Sequence, residues 1–395
     1  MNVSKRIEAM QYSPIRKLVP FAEAAKKQGR KVYHLNIGQP DIETPREFFD
    51  AVKNFDEKVL EYAFSQGIPQ LIESFIKYYE TFGVHYEKDE ILITNGGSEA
   101  LFFALVATCD YGDEVIVPEP FYTNYNSFSK SAGAVVVPVA TQASNGFKLP
   151  SLDVFESKIT PKTKAIMLSN PGNPTGAVYD AEDMEKVKTL AIKHNLYIIS
   201  DEVYKEMVYD GLKFTSFSQM EGISDRVIIT DSISKRYSAC GARIGCVASK
   251  NKEIMKQIMK LCQGRLCVAT IEQIGAAALA DVAPSYMENV VKEYGKRRDI
   301  VYDALAKMDG VVCRKPQGAF YIIAKLPIAD ADDFAKWLLT DFSINNTTVM
   351  VAPASGFYAT EGLGKDEIRI SYVVKEEDLK DAMNILAEAL KVYGK

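Results

Sequence analysis

The stretch DSISKRYSACGARIG, residues 231–245, follows the apolar run RVIIT (226–230) without a linker. Strand-like residues give way at once to serines, to Lys235 and to Arg243, among side chains mostly too small to build a core. The same transition recurs through the middle of the chain. EILIT (90–94) runs into NGGSEA, KAIMLS (164–169) into NPGNPTG, and LYIIS (196–200) into DEVY. DEVIVP (113–118), AVVVPV (134–139) and ARIGCVA (242–248) read as further strands. Between them, AEDMEKVKTLAIKHN spaces Met184, Val187, Leu190 and Ala191 along one helical face. Strands alternating with amphipathic helices predict an α/β fold, a large domain with a mostly parallel sheet flanked by helices. After about residue 285 the pattern changes to a long helix over 286–307, then GAFYIIAKL, DDFAKWLLTDF, TTVMVAP, DEIRISYV and a final helix. That order predicts a smaller α+β domain. The expected division is an N-terminal arm over 1–45 packing on the small domain, a large ligand-binding domain over 46–285, and a small C-terminal domain over 286–395.

Composition narrows the field. A chain of 395 residues, 47% hydrophobic and 25% charged, has enough apolar surface for a large core and more than one domain. A formal charge of −5, with Lys and Arg scattered, argues against nucleic acid, whose phosphates call for a concentrated basic surface. The longest strongly apolar run, Ala100 to Cys109, falls well short of the roughly 20 residues that span a bilayer. MNVSKRIEAM lacks the apolar centre of an export signal, so a cytoplasmic protein is expected, with no membrane partner. Cysteines at 109, 240, 246, 262, 267 and 313 form no C-x-x-C pair, and His34, His85 and His194 stand far apart. No metal is expected.

In doubly wound sheets ligands gather beyond the carboxyl ends of the strands, where this chain has its most polar turns. NGGSEALFFAL (95–105) opens a helix after a strand, and the free N–H groups of Gly96, Gly97 and Ser98 would hold an anion such as a phosphate. A plain tight turn has the same composition. With Ala100 in the last place the segment also nearly matches the G-x-S-x-G elbow of serine hydrolases, for which His194 is the only downstream histidine. SNPGNPTG (169–176) fixes a rigid loop whose side-chain amides reach outward. Asp201 ends an apolar strand and Tyr204 follows three residues on, so both can face one crevice, although an acid there also serves as a helix cap. Lys235, desolvated at a strand end, would have its amine freed for Schiff-base chemistry, where an ordinary loop lysine is solvated. Ser232, Ser234 and Arg243 supply donors suited to a phosphate, the arginine bidentately.

SISKRYSACGARIG, SNPGNPTG, SDEVY, NIGQPDIETP and RISYV together resemble the class I and II aminotransferases, fold type I pyridoxal-phosphate enzymes similar to aspartate aminotransferase. The resemblance runs from the arm to Arg369. It implies pyridoxal 5′-phosphate as cofactor and roles for individual residues. Lys235 would form the Schiff base and shuttle the proton between the substrate Cα and the cofactor's C4′. Asp201 would pair with the pyridine nitrogen, and Tyr204 and Asn173 would hydrogen-bond the phenolic oxygen. Tyr122, in PFYTNY, would stack on the ring, while Gly97, Ser98, Ser232, Ser234 and Arg243 would hold the phosphate. Arg369, otherwise a surface strand residue, would clamp the α-carboxylate, with Asn173 beside it and the Gly38 backbone closing over it. Tyr62, in EYAFSQGIPQL, would reach the phosphate of a neighbouring subunit, which implies a homodimer with shared active sites.

Three positions depart from residues common in that family. Ala242 precedes Arg243 where many relatives carry a bulky aromatic, Tyr122 stands where aspartate-type members often have tryptophan, and Ser98 stands where some have a lysine for the distal carboxylate. Arg265, in GRLCVATIEQ, is either a distal-carboxylate contact or an exposed arginine. The implied reaction is a ping-pong exchange of an amino group between an α-amino acid, aspartate-like or general, and a 2-oxo acid, with 2-oxoglutarate as acceptor. The same residues would serve a β-eliminating lyase. A noncatalytic cofactor-binding module would need an added DNA-binding domain, for which the segment before NIGQPD is short, and a nicotinamide dehydrogenase would need a G-x-G-x-x-G after an early strand.

Overall fold

The computed structural model describes residues 2–394. The chain enters through strand β1 (Lys31–His34). There follow β2 (Ile91–Thr94), β3 (Glu114–Glu119), β4 (Val135–Ala140), β5 (Thr163–Ser169), β6 (Tyr197–Asp201), β7 (Val227–Ser232) and β8 (Gly245–Ala248). The last seven form one sheet in the order β2-β8-β7-β6-β5-β3-β4. Neighbours from β7 across to β4 are parallel, and β8 runs antiparallel to both β2 and β7. The mainly parallel sheet with helices on both faces matches the expected fold class.

Period-2 alternation explains how these strands serve two cores at once. Ile166 and Leu168 of β5 join one apolar cluster, with Ile198, Val227 and Ile229 from the strands beside it. Ala165 and Met167 face the other way, into a second cluster with Ile199 and Ile228. The helix Ala181–Lys193 closes the first face with Met184, Val187, Leu190 and Ala191, the residues its spacing singled out. The helices Gly96–Thr108 and Lys252–Arg265 close the second. One expected strand is shorter than the sequence suggested. ARIGCVA becomes extended only at Gly245, because Cys240–Ala242 is a tight helical turn and Arg243 takes φ +54°.

The C-terminal part begins with the helix Ser285–Leu305. It contains β9 (Val312–Cys313), β10 (Tyr321–Lys325), β11 (Thr347–Met350), β12 (Ala352–Pro353) and β13 (Glu367–Ser371). Four of these make an antiparallel sheet, β12-β13-β10-β9, separate from the large one. The N-terminal segment does more than lie on this part: β1 pairs in parallel with β11, and Leu18, Ala22, Tyr33 and Leu35 enter its apolar cluster beside Phe320, Ile322, Phe334 and Ile370. Residues 2–10 turn instead toward the large sheet's flank, where Arg6 reaches the Ser131 carbonyl and Lys130 the Ala9 carbonyl. Among the described residues no helix is long and apolar enough to cross a membrane, and no group of three or more His, Cys, Asp or Glu is disposed to hold a metal ion. Both sheets meet where the carboxyl ends of β5, β6 and β7 face Arg369 of β13.

Candidate active site

A cavity of about 590 Å³ fills that meeting place, within the size range of small-molecule sites. Its anion-binding end is built by the helix start at Gly96, the end of β7 and the turn before β8. Asn95 is pinned by Glu99, which accepts from its backbone N–H at 2.9 Å and its side-chain amide at 3.0 Å. Gly96, at φ +72°, lies so close to Arg243 that a Cβ would fall 2.5 Å from Nη2. Arg243 itself occupies the left-handed region, a strained state for a side chain of its size that is tolerated where the surroundings dictate it. Its guanidinium donates to the Cys240 carbonyl at 3.0 Å and the Asn95 carbonyl at 3.3 Å. The Ser232 hydroxyl lies 2.8 Å from that of Ser234 and 2.9 Å from the Ile244 carbonyl. With Gly97 and Ser98 in the first turn of a long helix, this is a set of donors with a positive field and no acid among them.

Lys235 stands between that end and the middle of the cavity. Its Nζ donates to the Gly38 carbonyl at 2.9 Å and lies 5.9 Å from the Phe320 ring centroid. It is half-buried, less withdrawn from water than the sequence implied, because its loop borders the open cavity. It and Arg243 do not pair. Deeper in, Asp201 is 5% exposed and accepts from the Tyr125 hydroxyl at 2.9 Å and the Val203 N–H at 3.4 Å. Burial pushes its carboxyl up to about 6, against the pull of Tyr125 and Val203, with the Asp231 charge adding to the rise and Lys235 opposing it.

The opposite wall carries Arg369, buried to 1% exposure rather than set on a surface strand. Its Nη1 donates to Asn173 Oδ1 at 3.1 Å and its Nη2 to the Asn36 carbonyl at 2.5 Å, while its Nε is buried without a partner among the described residues. Burial pulls the guanidinium below its ordinary value, and the phenols of Tyr321, Tyr204 and Tyr122 oppose that. The Tyr204 hydroxyl meets that of Tyr321 at 2.9 Å, and burial holds the Tyr204 phenol far above its usual range. Tyr122 lines the cavity with its hydroxyl 2.9 Å from the Asn124 amide, and burial lifts its phenol to about 12. Gly38 fits tightly, since any Cβ there would collide with the Tyr321 ring and hydroxyl.

The arrangement offers an anion cradle, an amine, a buried acid and a buried guanidinium around one cavity, and the sequence model of the family Aminotransferase class I and II matches residues 30–386. The chain belongs to this family. It is 32% identical over 405 residues to the aspartate aminotransferase of Rhizobium meliloti strain 1021, covering 98% of this chain and 95% of that one. It is 33% identical over 396 residues to the aromatic-amino-acid aminotransferase 2 of Thermococcus litoralis, covering 99% of both. Among solved structures, the alanine aminotransferase of Pyrococcus furiosus superposes with a TM-score of 0.90 at 32% identity, covering 99% of this chain and all of that one. The protein is thus an enzyme of the aminotransferase class with the fold of these aminotransferases. Three donor names at nearly equal identity leave the preferred amino acid of this aminotransferase to its own side chains.

Of the site residues read from the sequence, Gly38, Gly97, Ser98, Tyr122, Asn173, Asp201, Tyr204, Ser232, Ser234, Lys235, Arg243 and Arg369 all line the one cavity. Tyr62 does not: it is 82% exposed on a loop with Val59, Leu60 and Phe64. Arg265 is neither exposed nor in the cavity. Its Nη2 donates to the Ile93 carbonyl at 3.1 Å and the Ser65 carbonyl at 3.3 Å, and its Nε lies 3.6 Å from Glu99, the residue that pins Asn95. Its charge lies at the aminotransferase's helix start, outside the lining of this cavity. His194 caps the helix Ala181–Lys193 beside Glu156, and among the described residues no histidine lines the cavity with Ser98, which removes the hydrolase alternative. Sequence reasoning missed Tyr125, Tyr321, Asn36 and Arg16. Three lay close to residues already noted: Asn36 opens NIGQPDIETP, Tyr321 sits in GAFYIIAKL, and Tyr125 stands three residues beyond Tyr122 at a helix start.

Proposed function

We propose that this aminotransferase binds pyridoxal 5′-phosphate in the cavity and exchanges an amino group between an α-amino acid, aspartate-like or general, and a 2-oxo acid by ping-pong turnover, as a homodimer. The single observation that carries the reading is the meeting of Lys235, Asp201, Arg243 and Arg369 around one space. The donor set fits the cofactor: hydroxyls, guanidinium and helix start for a phosphate at one end, and a buried acid for a pyridine nitrogen in the middle. The partnerless Nε of buried Arg369 fits a carboxylate, the acceptor that a guanidinium fork matches.

Bound pyridoxal phosphate supplies an electron sink that acidifies the substrate's Cα–H bond. This chain's residues do the rest. Gly97, Ser98, Ser232, Ser234 and Arg243 fix the phosphate, so that the ring cannot drift. Asp201 holds a proton on the pyridine nitrogen. A cation placed against its carboxylate offsets the burial that otherwise lifts its pKa. Tyr122 flanks the ring, and Tyr204 and Asn173 donate toward its phenolic oxygen. Arg369 and the Gly38 backbone hold the α-carboxylate and orient the Cα–H bond. Lys235, whose amine borders the cavity, would take the proton from Cα and return it to the neighbouring carbon.

The test is the purified enzyme and its Lys235→Ala variant. The wild type should show the visible band of lysine-bonded cofactor, give parallel-line kinetics with an amino donor and 2-oxoglutarate, and lose at least about 100-fold in rate in the variant. Ammonia release from the donor without transfer to any oxo acid would refute transamination.

A further inference from the structure

Four basic side chains line the cavity, Lys235, Arg243, Arg369 and Arg16, and the reaction proposed above employs three. Arg16 lies in the N-terminal segment, and its neighbours are all engaged. Pro14 is buried against Gly356, where a Cβ would overlap its ring. Ile15 packs on the cluster that holds Phe357, Lys17 pairs with Asp332, and Leu18 is buried in the C-terminal core. Arg16 itself is exposed, and its side chain has no hydrogen bond or ion pair among the described residues. A backbone clamped on both sides therefore holds Arg16 at the cavity lining, with a guanidinium that has no structural task.

Asn36 joins this segment to the other guanidinium. Its Nδ2 donates to the Ile15 carbonyl at 3.2 Å, and its own carbonyl accepts from Arg369 Nη2 at 2.5 Å. The two arginines thus sit on one frame. Asp201 is the one acidic residue in the cavity lining and is already held by Tyr125, so no side chain there competes for Arg16. A guanidinium at the edge of an acid-poor space suits a carboxylate. Arg265, the other arginine considered for that task, is engaged elsewhere.

We propose that Arg16 is a specificity-determining residue that receives the second carboxylate of a dicarboxylic amino or oxo acid while Arg369 receives the first. The inference rests on the reading of Arg369 as the α-carboxylate site. It assigns this enzyme a dicarboxylic donor over an apolar one, a choice that relatives named for aspartate, aromatic amino acids and alanine leave open.

The experiment measures single-turnover conversion of the cofactor by donor alone, so that acceptor preference does not enter. The holoenzyme and its Arg16→Gln, Arg16→Lys and Arg369→Gln variants each receive L-aspartate or L-alanine. Arg16→Gln should lower the second-order rate constant for L-aspartate by about 10- to 100-fold, the worth of a charge-assisted hydrogen bond, and leave that for L-alanine within about twofold. Arg16→Lys should recover part of the loss. Equal falls for both donors, or none for either, would overturn the assignment. Arg369→Gln should weaken both donors alike; if it spares both, the underlying reading of Arg369 fails rather than that of Arg16.

Discussion

Asp201 holds its carboxyl against the Tyr125 hydroxyl and the Val203 N–H, with little of its surface exposed. A folded value near 6 lies above the ordinary 3.8, so the folded protein binds this proton more tightly than the unfolded chain does. Stability is therefore full below about pH 4 and falls as pH rises from there through about 6, where deprotonation must occur without solvation. Asp201→Asn removes that loss. In cofactor-free protein the variant should exceed the wild type in urea midpoint at pH 8, and the gap should narrow toward pH 4; a gap independent of pH would refute the cause. The same variant should lose amino transfer, because a neutral amide does not stabilise the positive charge of a protonated ring nitrogen, so stability and activity move in opposite directions. Asp201 was legible in the sequence through SDEVY and the family resemblance it carries, since an acid ending a strand by itself reads equally as a helix cap. Tyr125 and Tyr321 were not, since each meets its polar partner, Asp201 or Tyr204, only after the chain has folded across 76 and 117 positions.

Strands and turns carry a second set of charges on the face away from the cavity. Lys205, Asp231 and Arg236 each adjoin a cavity residue, Tyr204, Ser232 and Lys235, and point the other way. Lys205 Nζ lies 2.6 Å from the Asp231 carboxylate and Arg236 Nη1 2.9 Å from both its oxygens, with all three side chains nearly sealed from water. Burial alone would raise the Asp231 carboxyl, yet Arg236 and Lys205 together hold it below its ordinary value. Arg236 also stacks over Tyr78 at 4.0 Å and Lys205 over Tyr79 at 4.3 Å. Removing the acid strands two buried cations, so Asp231→Ala should cost about 3–5 kcal/mol in urea unfolding, the range for one partner deleted from a buried pair. A loss under 1 kcal/mol would show the cluster to be solvated. Gly245 supplies a milder probe, because a Cβ there would come 2.5 Å from the Asp231 carbonyl and 2.6 Å from the Gly96 carbonyl carbon. Gly245→Ala should push the helix start off Arg243 and weaken cofactor binding about tenfold or more by fluorescence titration, while a folded protein with unchanged affinity would sink the account. The strands of the large sheet were readable because Val, Ile and Leu run through them and both faces are buried. The start of β8 was misread, since nothing in ARI announces that Arg243 must turn left-handed to meet the Asn95 carbonyl.

At the scale of the whole molecule, the loop between the helices Arg46–Lys53 and Pro69–Glu80 remains unaccounted for by one chain. Val59, Leu60, Tyr62 and Phe64 are 66%, 59%, 82% and 70% exposed, and Cys267 and Ile271 border the same hollow. Contiguous apolar side chains in water mark a surface that another surface covers. The loop is not adrift: Thr270 donates to the Glu61 carbonyl at 2.9 Å, and Arg265 and Gln66 fix its far end through the Ser65, Lys88 and Ile91 carbonyls. A held loop with an exposed apolar crest suits the proposed homodimer, in which Tyr62 leaves its own cavity to reach the phosphate of a second copy. The family resemblance of EYAFSQGIPQL implies that role for the tyrosine, a role that takes a second copy of the chain. The two parts of that claim separate experimentally. Leu60→Glu with Phe64→Glu should shift sedimentation from dimer to monomer and lower cofactor affinity together. Tyr62→Phe should keep the dimer and weaken the cofactor by about tenfold, the worth of one hydrogen bond to a charged group. A fully active monomer would refute shared sites outright, whereas a dimer indifferent to Tyr62→Phe would leave the interface standing and remove Tyr62 from the phosphate.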